Sequence, residues 1–424
     1  MAPHAVTACQ WVLLAVCLSA SLYALLAAVA MPFFSSRRGA AGRTAHSSSH
    51  VSQPQRRFAQ VGVSVLKPLC GAEPRLYDNL RTFCEQRHAH FQLVLGVSSP
   101  DDSAIAVVCR LQAAYPSHDI ELAIDARVHG SNLKVSNLIN MAARARHEVI
   151  VIADSDIAVE ADYLDSVAAP LADPRVGVVT CLYVARGIGG FWPRVGALFI
   201  NEWFAPSVRV AHAAGSRRFG FGATLALRRA TLERIGGFEA LKNCLADDYW
   251  LAEHVRALGL QTVLSRAMVA TDVIEPTFSA LWQRETRWLR TIRSVNAPGF
   301  AFLFITFPTP WLLAGAWLSA GLAAASPDAV HAWAAFTSGA GAAAGLAARL
   351  LMHLRSARRE RTFWRDLPLV PLRDTLLALQ WCAAVFGSHV MWRGARVPIE
   401  AAASKAARNG ALNVMDVMEA SDGG

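Results

Sequence analysis

Asp154 and Asp156 are two carboxylates one residue apart, and they follow directly on the apolar run Val149-Ile150-Val151-Ile152-Ala153. A run of this length, mostly β-branched, reads as a strand buried on both faces, as in a parallel sheet. Open α/β sheets bind ligands outside the carboxyl ends of their strands, so both carboxylates should stand at the mouth of a site. Hard oxygen ligands at i and i+2 suit Mg2+ or Mn2+ held together with a substrate's phosphates. A solvated turn with an N-capping aspartate is the plainer alternative, because a bare D-x-D is common. Two further clusters carry chemistry. Asp247-Asp248-Tyr249-Trp250 opens a helix that continues through His254; acids in a first turn are favoured by the helix dipole, so capping is their bland reading. Arg284-Glu285-Thr286-Arg287-Trp288 lies on an amphipathic stretch just before an apolar run, and by itself reads as a basic interfacial helix with a tryptophan anchor.

The elements that must position these groups alternate. Val63 to Leu66 reads as a strand ending at Lys67-Pro68-Leu69, Leu80 to Gln86 as a helix, and Phe91 to Val97 as a second strand ending at Ser98-Ser99-Pro100-Asp101-Asp102. Ala104 to Tyr115 has helical spacing, Ile120 to Ile124 reads as a third strand, and Gly130 to Leu138 opens a helix that leads to the central strand. Val176 to Thr180 is another strand. Gly187 to Trp192 and Phe219 to Ala223 are Gly-rich stretches with aromatic residues. Alternation of this kind predicts an α/β fold with a right-handed, mostly parallel sheet. No G-x-G-x-x-G follows the first strand, which argues against a dinucleotide oxidoreductase.

Composition points to a membrane. Of 424 residues, 54% are hydrophobic, and the mean hydropathy is positive, which is high for a soluble enzyme. The formal net charge of +9 sits in loops flanking apolar segments, where a cytosolic membrane face attracts it; no motif supports nucleic acid as a partner. The eight cysteines are scattered, without C-x-x-C or zinc-like histidine spacing, and fit reduced thiols. Ala8 to Phe34 lacks any charged side chain and is long enough to span. Arg37, Arg38, Arg43, Arg56 and Arg57 then form a flexible basic linker that places the following domain in the cytoplasm. Phe302 to Ala325 and Ala329 to Leu354, joined by Ser326-Pro327-Asp328, read as a transmembrane hairpin, followed by Arg355, Arg358, Arg359, Arg361 and Arg365 on the cytoplasmic side. Thr375 to Trp392 is borderline, a re-entrant or interfacial segment, and Arg393, Arg396, Lys405 and Arg408 favour a cytosolic tail.

In order and spacing, Val63-Ser64-Val65-Leu66-Lys67-Pro68-Leu69, Asp101-Asp102, Asn132 to Leu138, Asp154-Ser155-Asp156, Asp247-Asp248-Tyr249 and Arg284-x-x-Arg287-Trp288 resemble a GT-A glycosyltransferase of the ceramide glucosyltransferase family, glycosyltransferase family 21. The resemblance covers roughly Gly62 to Asn296 plus the membrane parts. It implies a Rossmann-like GT-A domain, a UDP-sugar donor and a membrane lipid acceptor. It implies that Lys67, Pro68 and Asp101 or Asp102 hold the uridine, with Asn132 nearby, and that Lys134 reaches phosphate or ribose; a surface lysine is the alternative for Lys134. Asp154 and Asp156 would hold a divalent cation, Mg2+ or Mn2+, with Asp154 also lining the donor site. Asp248 would be the general base, assisted by Asp247. Arg284, Arg287 and Trp288 would close over the diphosphate, where a guanidinium fork suits phosphate oxygens. One base opposite the leaving group implies inversion at the anomeric carbon.

Within that family the chain is similar to the bacterial hopanoid-biosynthesis glycosyltransferase. The animal ceramide pattern has one aspartate where this chain has Asp154 and Asp156, and a histidine of that pattern is missing near Phe204-Ala205-Pro206. The resemblance therefore implies N-acetylglucosamine transfer from UDP-N-acetylglucosamine to bacteriohopanetetrol at a bacterial inner membrane, with a cytoplasmic catalytic domain. The alternatives are a ceramide glucosyltransferase using UDP-glucose and a processive polysaccharide synthase. The expected layout is an anchor over 1–34, a basic linker over 35–59, a GT-A domain with interfacial helix over 60–298, a transmembrane hairpin over 299–354, and a basic loop, membrane segment and tail over 355–424.

Overall fold

The computed structural model describes residues 3–31, 61–325, 329–357, 360–387, 389–392 and 395–398. The expected basic linker with Arg37, Arg38, Arg43, Arg56 and Arg57, the turn Ser326-Pro327-Asp328, and Arg358, Arg359, Arg393, Lys405 and Arg408 lie outside the described residues. The chain divides into two units. One comprises Ser48–Arg186, Ser216–Asp272 and Ser388–Gly424; the other comprises Met1–Ser47, Gly187–Gly215 and Val273–Gly387.

In the first unit, β1 (Val63–Pro68), β2 (Phe91–Val97), β3 (Ile120–Ile124), β4 (Val149–Ile152), β5 (Ile157–Ala158), β6 (Val176–Gly187), β7 (Leu225–Arg228) and β8 (Gln261–Val273) form one sheet. Their order is β3-β2-β1-β4-β7-β6-β8-β5. β1 pairs in parallel with β2 and β4, and β2 with β3. Helices Leu76–Cys84, Ala104–Ala114 and Leu133–Ala142 fill the connections, as parallel pairing requires. β1 and β4 are buried at every residue; β4 accordingly reads as an unbroken apolar run, while β1 also buries Ser64 and Lys67, whose polar ends pair with Gln92 and the Asp154 carbonyl. One face of the sheet buries Leu66, Val94, Ile150, Ile152, Val178 and Leu227 against Val135, Leu138 and Met141 of the Leu133–Ala142 helix and Leu251 and Val255 of the Asp247–Ala257 helix.

The chain leaves β1 toward β2 and β3, then returns to β1's other side as β4. That reversal opens a crevice at the carboxyl ends of β1 and β4, the place where such sheets bind ligands. Beyond β4 the sheet is mixed. β7 runs antiparallel to both β4 and β6, and β5 antiparallel to β8. The expected parallel architecture thus holds for β3-β2-β1-β4. It gives way at β7, which the chain enters through a tight turn at Phe221 to Thr224 rather than a crossover.

The second unit is helical. Helices Pro3–Ala30, Pro308–Ala325 and Ala329–Ser356 pack through small residues. A Cβ on Gly315 would collide with Cys17 Sγ, and one on Gly345 would collide with Leu312 and lie 2.9 Å from Ser21 Oγ. Ser338 Oγ donates to the Gly315 carbonyl at 2.7 Å across the hairpin. Close backbone approach at glycine, alanine and serine is how helices associate in lipid. Among the described residues, Ala8–Ala30 and Leu369–Phe386 are long and apolar enough to cross a membrane, and Ala297–Thr306 with Pro308–Ala324, bent by 55°, makes a third if it counts as one span. The helix Ala329–Ser356 has the length expected of the hairpin's second arm but carries the buried Arg349 and His353. The stretch expected over Thr375 to Trp392 is divided: the helix starts earlier, at Leu369, and ends at Phe386 because Gly387 turns extended. A strand, His389–Trp392, then pairs with Ala395–Pro398.

Candidate active site

The crevice residues are built outward from the strand ends. Past β4, Ala153 N–H donates to the Leu66 carbonyl of β1 at 3.1 Å, so the next residue leaves the sheet at its edge. There the Asp154 side chain is partly exposed, and its Oδ1 lies 2.6 Å from Lys134 Nζ. Lys134 is also 3.6 Å from Asp247. Burial works against its charge, yet Asp154, Asp247 and Asp248 together hold its pKa well above the ordinary lysine value. Lys134 is therefore no surface lysine. It stands in the first turn of the Leu133–Ala142 helix, whose N-cap Asn132 accepts from Val135 N–H at 3.0 Å. The same Asn132 donates to the Cys244 carbonyl at 2.8 Å and to Asp247 Oδ1 at 3.1 Å. Its side chain is thus occupied in joining two helix starts.

Asp248 opens the helix Asp247–Ala257. Its Oδ2 accepts from Gly222 N–H and its Oδ1 from Tyr249 N–H, both at 2.8 Å. Burial, then the charge of Asp247, pushes its pKa up to about 6 against the pull of Lys134. Gly222 is the meeting point. A Cβ there would lie 3.0 Å from Asp154 Oδ2, 3.3 Å from Lys134 Nζ and 3.5 Å from Asp248 Oδ2. The antiparallel register of β4 and β7, Ile152 opposite Leu225, explains why the turn before β7 comes back beside the end of β4. The aromatic rings of Phe219 and Phe221 stand 5.8 Å apart on the same stretch, with Tyr183 edge-on to Phe221.

Asp156 takes its place from β5, where Ile157 pairs with Thr271 of β8. Thr271 Oγ1 donates to Asp156 Oδ2 at 2.6 Å. Next to it, Ser155 Oγ donates to Glu73 at 3.2 Å. Burial and the charge of Asp156 raise Glu73 to about 7. Beneath the turn, Lys67 Nζ donates to the Asp154 carbonyl at 2.7 Å and sits 3.9 Å from the Phe83 ring centroid. Lys67 is fully buried, and burial lowers its pKa to about 7 despite Asp156, Asp154 and Glu73.

The residues expected to hold a uridine occupy the loops after β1 and β2. Pro68 closes β1 and is buried. Asp101 is exposed. The Asp102 carboxylate accepts from Gly71 N–H at 3.0 Å and Ala104 N–H at 2.8 Å, tying the two loops together. The structure thus brings together Asn132, Lys134, Asp154, Asp247 and Asp248, with Asp156 on the next turn of chain. Arg284, Arg287 and Trp288 belong to the helical unit, on the helix Phe278–Val295. There Arg284 pairs with Glu275 at 3.2 Å and lies 5.1 Å from the Trp288 ring centroid. Glu73, Gly222 and Thr271 were not singled out by sequence as site residues. Gly222 lay within a Gly-rich stretch already notable, and Glu73 is an acid just after the first strand. Thr271 carries no signal, since only sheet pairing delivers it.

Five carboxylates, Glu73, Asp154, Asp156, Asp247 and Asp248, share two ammonium groups, Lys67 and Lys134. This excess of hard, anionic oxygens fits a divalent cation that an anionic diphosphate would bring with it. Among the described residues no three His, Cys, Asp or Glu side chains form a ready-made cage; Mg2+ sites characteristically complete their shells with water and substrate phosphates. Asp154 and Asp156 would hold such an ion. Chemically, the cluster can hold one carboxylate unprotonated near neutral pH beside a polar, partly open crevice, as a general base requires.

The family model described as glycosyl transferase family 21 matches residues 12–404. Ceramide glucosyltransferase 1 of Caenorhabditis elegans is 26% identical over 230 residues, 54% of this chain and 49% of that protein. Ceramide glucosyltransferase 3 of the same organism is 25% identical over 233 residues, 54% of this chain and 50% of that protein. The chain spans about half the length of these curated relatives. Among solved structures, a mannosyltransferase from Pyrobaculum calidifontis in complex with GDP-Man and Mn2+ superposes with a TM-score of 0.45 and 20% identity, covering 87% of this chain and 99% of that one.

Proposed function

The chain belongs to glycosyl transferase family 21, and we propose that it transfers a sugar, with inversion, from a UDP-sugar to a hydroxyl of a membrane lipid. The observation that carries this reading is the group around Gly222, where Asp154, Lys134 and Asp248 converge at a sheet switch point. Asp248 takes the proton of the acceptor hydroxyl. The acceptor oxygen forms its bond to the anomeric carbon as the bond from that carbon to the β-phosphate oxygen breaks, and UDP leaves. The raised pKa of Asp248, about 6, keeps it a strong enough base near neutral pH while leaving it ionised. Lys134, bridging Asp154 and Asp247, orients both carboxylates and lies within the donor crevice. Asp154 and Asp156 would hold a divalent ion, and that ion would supply charge neutralisation for the leaving diphosphate. Lys67, Pro68, Asp101, Asp102 and Asn132 shape the donor loops, and Arg284, Arg287 and Trp288 are assigned to the diphosphate by their chemistry.

For the acceptor and donor, two readings have support. The relatives, matched across about half of their length, are ceramide glucosyltransferases, which favours ceramide with UDP-glucose. The pairing of Asp156 with Asp154 and the absence of a histidine near Phe204-Ala205-Pro206 favour a hopanoid polyol such as bacteriohopanetetrol with UDP-N-acetylglucosamine, at the cytosolic face of a bacterial inner membrane. A competition decides: detergent-purified protein receives both lipids together, with each labelled donor in turn. Product carrying one sugar on one lipid is expected. Exclusive glucosylceramide removes the hopanoid reading, and labelled polymer removes both.

A further inference from the structure

Arg373 and Asp374 are neighbours on the helix Leu369–Phe386, and each is almost fully buried. Successive helical residues project about 100° apart, so the two side chains serve different neighbours. Arg373 Nη1 donates to Glu285 Oε2 at 2.7 Å and Nη2 to Gln380 Oε1 at 2.6 Å, while Gln380 Nε2 donates to the same Glu285 oxygen at 2.9 Å. Glu285 sits on the helix Phe278–Val295, between Arg284 and Arg287 in sequence. Asp374 faces the hairpin. It accepts from Arg349 Nε at 3.0 Å and Nη2 at 3.1 Å, and from Thr309 Oγ1 at 2.5 Å. Arg349 continues to Glu202 at 2.7 Å, on the π-helical turn Ile200–Phe204, where His353 and Ser356 also bind.

Buried ion pairs contribute little net stability, because desolvation offsets their attraction; well-packed apolar residues do as well. What such pairs do impose is geometry, since a guanidinium fork and a carboxylate meet in few orientations. We propose that Arg373-Asp374 is a crosspiece that sets the rotation of the arginine-bearing helix Phe278–Val295 against the hairpin Pro308–Ser356. Glu285, Arg373 and Gln380 are then positioning residues for Arg284, Arg287 and Trp288, a role that rests on reading those three as donor-diphosphate ligands. Turning the helix enough to free Glu285 swings both arginines away.

The test replaces the pair, and the Gln380 amide that hydrogen-bonds to both, by apolar residues, E285L with R373M and Q380L, and measures thermal unfolding, UDP affinity by calorimetry, donor KM and kcat, and hydrogen exchange over 278–295. The expected variant unfolds at an unchanged temperature, loses protection over 278–295 alone, and shows a donor KM raised about tenfold, the scale of one charged hydrogen bond. In an R287A background the same replacement adds no more than about twofold, because coupled sites are not additive. R373K retains the charge without the fork; it should fold and give a smaller rise, about threefold. Wild-type donor affinity in both R373K and the apolar variant, or losses additive with R287A, overturns the proposal. If the wild-type protein transfers no UDP-sugar, the functional reading falls, and exchange over 278–295 alone decides whether the crosspiece holds the helix.

Discussion

On the proposed reading, Asp248 is the residue on which the chemistry turns. Two backbone N–H groups hold its oxygens, yet burial and Asp247 raise its pKa to about 6. A base must be unprotonated to act, so kcat/KM should fall roughly tenfold per unit as pH drops below about 6 and level off above it. Asp247→Asn removes the neighbouring charge, so the limb should move to lower pH; a limb that stays in place assigns the titration to another group. Asp248→Asn preserves shape without basicity and should lower the rate by about 10²–10⁴, with UDP affinity retained in calorimetry. Parallel loss of affinity would make Asp248 a donor ligand instead. Asp156, held by Thr271 at 2.6 Å, belongs to the same scale. Asp156→Ala should abolish transfer, and EDTA should do so reversibly, with Mg2+ or Mn2+ restoring it; full rates in EDTA exclude an ion held there.

At the scale of elements, two helix starts are joined through one amide. Asn132 caps the helix Leu133–Ala142 and binds Asp247 at the start of the helix Asp247–Ala257. Asn132→Ala loses an N-cap, worth about 1 kcal/mol of stability, and also frees the Asp247 carboxylate. The variant should therefore unfold at a lower temperature and show an altered pH profile. Asn132→Asp retains the cap acceptor but turns the amide donor into a carboxylate oxygen facing the Cys244 carbonyl and Asp247, so it should also melt below wild type and, by adding negative charge, move the limb of the profile to higher pH. A profile identical to wild type in both variants would separate Asn132 from the site. Sheet pairing works at this scale too: the β5–β8 register delivers Thr271 to Asp156, and the β4–β7 register delivers Gly222 to Asp154.

For the whole molecule, the helical unit exposes large apolar side chains over much of its surface. Trp317, Trp333 and Phe336 of the hairpin are 69–77% exposed, far beyond what a soluble protein leaves open in one region. Lipid is the partner that matches such a surface. After expression, the protein should remain in the membrane pellet through an alkaline carbonate wash and enter solution only with detergent; release by the wash alone would contradict spanning helices.

By itself the sequence determined the strands β1 to β4 and the two carboxylates after β4: β4 is buried on both faces and so must be an apolar run, and β1 to β3 are short, mostly apolar runs closed by polar or Pro-containing turns. It also determined Asp247-Asp248 as a helix start and the apolar segments as helices. Beyond β4 only the start of β6, Val176 to Thr180, was legible: β5 and β7 are short, and β8 alternates poorly because part of it is half-exposed. Only the tertiary structure decided what Lys67, Asp102 and Asn132 bind, since a side chain's partner depends on what the fold brings beside it. Lys67 lies under the acidic turn, Asp102 ties two loops, and Asn132 joins two helices. Glu73 and Thr271 became visible for the same reason, as did Arg349 and Arg373: a charge in an apolar helix is buried only where a distant carboxylate meets it.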